Sequence, residues 1–517
     1  MRAEIGNGGG GEMRTEHTMQ RADRGALVRP PLETMAAVTS TARQKALSLN
    51  LDQRTYGTLA EIGAGQEVAR WFFQVGGAAG TVAKSISAYD MVVSDGLYGP
   101  AKRYVSRQRL EAMLEHEFAQ LVDGLGRIRG DTTTFFAFAD TVTTRSYRHP
   151  ENGRGWVGVR FQTRPREEPS EIIVHVHLLD SSSTRQQKAL GVLGVSLIYG
   201  ASAHHREVPT LIGSLMDDLS RERIEVDMIK LSGPAFGEVD HRLVSLQLVE
   251  QRLTDAAMFT AAGEVVQPSE VLHKHPVLVE RGSFRPATKL TLDLLEHARE
   301  QFILEPDVRG QQPVVLAEMT LRNLLAAGRV DHSDFLARAD ILRALGIDVL
   351  VSRFQPYYEL AEYLAAYTDR MIGLAVGLPS VREIADEKYY TDLSGGVLES
   401  IGRLFKRSVK MYVYPTRDPV SGKIQTIERA PVPPPWHHLR DLLLGIHRLE
   451  PIRGYEEAYL SIRTPDVLAR IERGDPSWER LVPPAVADII KAKKLFGWAE
   501  ASGPAGRVQG RSAEDAG

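Results

Sequence analysis

Residues 313–415 read PVVLAEMTLRNLLAAGRVDHSDFLARADILRALGIDVLVSRFQPYYELAEYLAAYTDRMIGLAVGLPSVREIADEKYYTDLSGGVLESIGRLFKRSVKMYVYP, and their pattern decides the fold class. Short apolar runs (Val314–Met319, Ile347–Phe354, Met371–Leu378 and Val409–Tyr414) read as buried strands. Between them lie amphipathic stretches that read as helices: Asp334–Leu345, stopped by Gly346, then Tyr357–Tyr367, Ser380–Glu387 and Val397–Lys406. Strands of this length alternating with helices are the grammar of a parallel, doubly wound sheet. Such sheets take ligands at the carboxyl ends of their strands.

Upstream, residues 206–310 repeat the grammar with strands Ile224–Ser232, Asp255–Phe259 and His275–Gly282 and helices Asp240–Leu253 and Thr288–Glu300. Residues 44–205 are mixed. Gln66–Phe73, Gln187–Ala201 and Ser106–Gly124 read as helices, the last with Ser106 as its cap. Thr134–Asp140, Gly155–Gln162 and Glu171–Leu179 read as strands. Downstream, PVPPP at 431–435 breaks any regular element, and residues 431–502 read as a helical appendage built from Trp436–Leu449, Thr464–Arg473 and Pro483–Lys494. Residues 1–43, with a GGGG run, and 503–517 have no periodicity and read as disordered tails. The expected fold class is α/β: a doubly wound, mostly parallel sheet in the C-terminal half, a mixed α+β N-terminal part and a small C-terminal helical appendage.

Composition narrows the function. The 517 residues include 63 basic and 66 acidic side chains, a net charge of −3 that points to neither nucleic acid nor an anionic membrane as partner. There is no cysteine, which excludes disulfides, thiolate metal sites and a cysteine nucleophile. No apolar run reaches the length of a membrane span, and the N-terminal stretch lacks the apolar core of a secretory signal. The expectation is a cytoplasmic protein whose partner is a small molecule; a homo-oligomer is compatible with the same composition.

Three constellations could hold an anionic ligand. At the strand ends of residues 313–415 stand Glu318, Thr320, Ser352, Arg353 and Gly377, with Arg353 equally suited to a structural ion pair. Lys388 and the pair Gly395–Gly396 precede a helix whose free N–H groups would attract phosphate, unless the glycines only permit a turn. The loop Glu280-Arg281-Gly282-Ser283-Phe284-Arg285-Pro286 follows an apolar strand abruptly and ranks first, with two arginines and a serine at a strand's carboxyl end. A glycine cluster (Gly76, Gly77, Gly80) leading to Thr81, Lys84 and Ser85 resembles a phosphate cradle, but fails the P-loop spacing and reads better as close packing. His175 and His177 share one strand face, with Asp180, His204, His205, His273 or His275 as conceivable third ligands. Without a fixed ligand spacing they read as hydrogen-bonded strand histidines, not as a metal site.

The phrases ALSLNLDQRTYGTLAEIGAGQEVARWFFQVGGAAGT, IEVDMIKLSGPAF, VLVERGSFRP and EKYYTDLSGGVLESIGRLFKRSVKMYVYP resemble a largely uncharacterised family of bacterial proteins. The likeness spans most of residues 44–498. Members carry the label nicotinate-nucleotide adenylyltransferase or, in some cases, TonB-dependent receptor. The second label demands a signal sequence and many alternating strands, which this chain lacks. The first implies nucleotidyl transfer, but no HxGH-type motif follows Val314–Met319, and Ser182-Ser183-Thr184 is followed at once by Arg185, not at the spacing an SSTxxR-type motif needs. The resemblance brings no catalytic residues and no cofactor. Two functions follow as expectations: an enzyme of nucleotidyltransferase type acting on a nucleotide-like or phosphorylated small molecule, and a non-catalytic protein that binds or senses such a ligand.

Overall fold

Val277–Arg281 (VLVER) is apolar on both faces and sits at the centre of an eight-stranded sheet, as a parallel strand covered by helices on both sides must be. The computed structural model describes residues 40–146, 153–326, 328–431 and 436–499. The expected tails therefore fall largely outside the described residues, as do Val432–Pro435 of the PVPPP break. The first described helix is Ala42–Leu51, capped by Thr41.

Two sheets organise the chain. The first contains β1 (Thr55–Ile62), β2 (Val82–Ser87), β3 (Thr134–Thr143), β4 (Gly153–Phe161), β5 (Ser170–Leu178) and β6 (Ile224–Ser232), in the order β2-β1-β3-β4-β5-β6. β1 runs parallel to β2 and β3, and the rest is an antiparallel meander. Helices Gln66–Val75 and Ser183–Ala203 bury one face through Val68, Phe72, Leu190 and Leu193. Helix Arg107–Arg129 buries Leu110, Met113 and Leu114 against the other.

The second sheet contains β7 (Ala256–Phe259), β8 (Val265–Val266), β9 (Val277–Arg281), β10 (Val314–Thr320), β11 (Asp348–Ser352), β12 (Ile372–Gly377), β13 (Val409–Tyr414) and β14 (Leu449–Pro451). Its order is β14-β13-β12-β9-β10-β11-β7-β8, with β7 and β8 an antiparallel edge. Numbered along the chain, the six parallel strands read 3-2-1-4-5-6 across the sheet, the doubly wound order whose direction reverses beside the first strand. The expected doubly wound sheet is thus present, and β9, from residues 206–310, is its central strand. β6 from the same segment completes the first sheet instead. The reversal lies between β9 and β12, so the loop opening at Arg281 occupies the first strand-to-helix turn. Among the described residues, no helix is long and apolar enough to cross a membrane.

Candidate functional site

β11 ends at Ser352, and the chain turns through Arg353-Phe354-Gln355-Pro356 into helix Tyr357–Tyr367. Pro356 stays extended at the cap position, with ψ of 150°, as its fixed ring allows. A cavity of about 690 Å³ opens beside this turn, bounded by Arg322 after β10 and by the segment Glu383–Leu393. That volume suits a drug-sized ligand. Its walls include Tyr357, Tyr358, Tyr363, Tyr389 and Tyr390. Asp255, Glu359, Glu362, Glu383 and Asp392 line it beside Arg322 and Arg353. Asp255 is also held by Arg221 and Glu362 by Arg403, whereas Glu359, Glu383 and Asp392 form no ion pair among the described residues. Arg353 Nη1 lies 3.4 Å from Asp255 Oδ1. The Arg322 guanidinium stands 5.7 Å from the Tyr389 ring centre and that of Arg403 4.2 Å from Tyr358, distances at which a cation is held by an aromatic face. Burial pushes the Glu359 carboxyl above its ordinary range, even though Gln355 N donates to it.

Beneath the crevice lies a buried ion pair. Arg281 Nε donates to Glu318 Oε2 at 2.7 Å and Nη2 to Oε1 at 3.1 Å. Ser352 Oγ donates to the same Oε1 at 2.6 Å, and Arg281 Nη1 to the Gln355 carbonyl at 2.7 Å. The Arg281 guanidinium also lies 4.3 Å from the Tyr357 ring centre. Glu318 is fully buried. The bidentate pair satisfies two charges that would each be costly alone. It also ties the carboxyl ends of β9, β10 and β11 to the turn that forms the crevice wall.

Of the residues expected to meet a ligand, Arg353 lines the crevice, while Arg281 and Glu318 lie locked to one another beneath it. The others do not converge. Glu280 points into the core: burial pushes its carboxyl well up, and its Oε2 has no hydrogen-bond partner among the described residues. Phe284 buries on the face of the sheet covered by helix His332–Ala344. Arg285 follows it there, its Nε donating to Asp334 at 2.6 Å, and the Ser283 carbonyl accepts from Arg338. The strand-to-helix turn thus crosses to the face opposite the crevice. Lys388 is exposed and paired with Asp386, reaching only the rim ring of Tyr389. At the Gly395–Gly396 helix start, Glu399 of the same helix accepts from Gly395 N at 3.0 Å, so a carboxylate of the chain already engages that N–H. In the upstream glycine cluster Lys84 binds Glu117 at 2.7 Å, and Asn50 holds the Phe72 and Gly76 carbonyls, so these glycines pack a turn.

Sequence reasoning missed the tyrosine walls and Asp255. The doublets Tyr357-Tyr358 and Tyr389-Tyr390 were the visible signal: paired aromatic residues at a helix start and in a polar loop. It also missed a pair of carboxylates in the first sheet. Glu61 of β1 and Asp140 of β3 are register neighbours at the carboxyl ends of parallel strands. Burial pushes Glu61 up to about 7 and Asp140 well above its ordinary range. A Cβ at Gly65 would stand 1.7 Å from Asp140 Oδ2, so the helix that follows β1 starts in contact with this pair because that residue is glycine.

No protein-family model matches the chain, and no curated protein matches it. Among solved structures, it is similar to the competence/damage inducible protein CihA from Agrobacterium tumefaciens, at 17% identity over 32% of this chain and 99% of that one, with a TM-score of 0.23. A competence-damaged protein (CinA) superfamily protein from Enterobacter cloacae matches at 11% identity over 34% of this chain and 98% of that one, with a TM-score of 0.22.

Proposed function

We propose that the protein binds a planar, nucleoside-like small molecule in the crevice at the carboxyl ends of the second sheet. The observation that carries this reading is a ligand-sized cavity walled by tyrosines at the end of a doubly wound sheet, where such sheets hold their ligands. Tyrosine faces take up a base by stacking, worth about 1–3 kcal/mol per base. The carboxylates of Glu359, Glu383 and Asp392, which form no ion pair among the described residues, favour hydroxyl and amino groups, which donate hydrogen bonds, and disfavour a phosphate chain. Arg281 and the Gly395 helix start, both suited to phosphate, are already engaged by carboxylates of the chain. These engagements support binding without nucleotidyl transfer. The test is calorimetric titration with nucleosides and with their 5′-monophosphates. Nucleosides should bind, and the added phosphate should bring no gain. Much tighter binding of the monophosphates would restore the phosphorylated ligand and the transferase reading, and binding of neither would sink the proposal.

A further inference from the structure

His175 and His177 lie two residues apart on β5 and share the sheet face on which Trp156 packs, its ring centre 4.7 Å from that of His175. Both reach Asp227 on the neighbouring strand. His175 Nδ1 is 2.6 Å from Asp227 Oδ1, and His177 Nε2 is 3.1 Å from Oδ2. The backbone brings this about. Val226 stands opposite Val176 and Met228 opposite His175, which leaves Asp227 as the additional residue of a β-bulge. Bulges re-aim a side chain at the expense of ladder regularity and recur beside functional sites. None of the five third partners expected from the sequence takes this place.

We infer that His175, His177 and Asp227 form a binding site for one divalent first-row transition cation. The three donor atoms lie within 4.8 Å of one another. Two imidazole nitrogens and one carboxylate oxygen suit zinc or iron, whereas magnesium and calcium prefer all-oxygen sites. Donors about 2.0–2.1 Å from a tetrahedral cation stand about 3.3 Å apart. The His177–Asp227 spacing is already close to that. The His175–Asp227 spacing reaches it by a small rotation of the carboxylate about its soft terminal torsion. One histidine would suffice to hydrogen-bond a structural carboxylate, whereas here a second imidazole reaches the other oxygen of the same carboxylate. Among the described residues, the ion-pair partners of Asp227 are these two histidines alone. Asp227 and His175 are buried, whereas the His177 side chain keeps 18% exposure, which leaves an approach on that side. Three protein ligands leave a coordination position open, the arrangement of a reactive rather than a purely structural site. The cluster is distinct from the crevice. Arg221 stands between them, bound both to Glu225, the cross-strand neighbour of His177, and to Asp255 of the crevice wall.

The test is calorimetric titration of chelator-treated protein with zinc, with magnesium as the control, on the wild type, His177→Ala and Asp227→Asn. Circular dichroism of the metal-free forms reports their folding. One zinc should bind per chain, magnesium should not compete, and each folded variant should bind zinc more than about tenfold more weakly. Absence of zinc binding by the wild type, or unchanged binding by a folded variant, would overturn the inference. If both variants unfold, cobalt added to the wild type decides. Intense visible bands of a four- or five-coordinate nitrogen–oxygen site are expected, and the weak spectrum of hydrated cobalt would reject the site.

Discussion

Replacing Glu61 with glutamine should make the protein more stable at alkaline pH. Glu61 is only 6% exposed and lies beside Asp140, which is fully buried with neither carboxylate oxygen hydrogen-bonded among the described residues. Ser87 donates to Glu61 Oε1, but burial outweighs that bond and raises the carboxyl from 4.5 to about 7. An unfolded chain releases this proton near pH 4.5, while the folded chain holds it until about 7. Unfolding therefore becomes easier as pH rises through that window, and the loss is complete above it. At about 1.4 kcal/mol per pH unit, the full effect is on the order of 3 kcal/mol. Glutamine has the same shape, can still accept from Ser87 and has no proton to lose. Urea unfolding of both proteins from pH 4 to 8 should give similar stabilities at the acid end and an advantage for Glu61→Gln that grows toward pH 8. A difference between the two proteins that does not change with pH would refute the reasoning.

Further predictions concern the second sheet. Arg281→Met strands the Glu318 carboxylate in the core and should cost about 3–5 kcal/mol. Adding Glu318→Gln should return much of it, as a double-mutant cycle in urea would measure. Gly373→Ala places a methyl 2.8 Å from Leu278 Cδ1 and 3.0 Å from Phe302 Cδ2, so melting experiments should show a loss of about 1–3 kcal/mol from overpacking. Tyr389→Ala removes a crevice wall and should weaken nucleoside binding about tenfold in calorimetry, leaving the melting temperature of the free protein nearly unchanged. Incubation with ATP and nicotinate mononucleotide should release no pyrophosphate, and steady release would revive the transferase reading.

The second sheet was legible because its strands are short, apolar on both faces and separated by helices. Tyr357–Tyr367, Val409–Tyr414 and Ile224–Ser232 have in the structure the bounds their patterns imply. Strand order was not legible. Nothing local in Val277–Arg281 says that β12, almost a hundred residues on, will pair with it. β1 and β2 escaped for a different reason. TYGTLAEI mixes glycine and a buried glutamate into its strand, and VAKSIS alternates but buries only one side partially. The Arg281 loop was correctly seen as a polar turn at a strand end. What the sequence hid is that Glu318, on the adjacent strand, consumes Arg281 before any ligand arrives. Asp227 was visible as a carboxylate inside the apolar run IEVDMI, a placement that needs a partner. Its histidines lie some fifty residues away, and only the β5–β6 register with its bulge joins them.

The most direct test of the crevice is a crystal structure of the protein with the nucleoside that binds it most tightly. The base should lie against the tyrosine walls between Arg353 and Tyr389, with its sugar hydroxyls donating to Glu359 or Glu383. A ligand found elsewhere on the molecule, with the crevice filled only by water, would contradict the account.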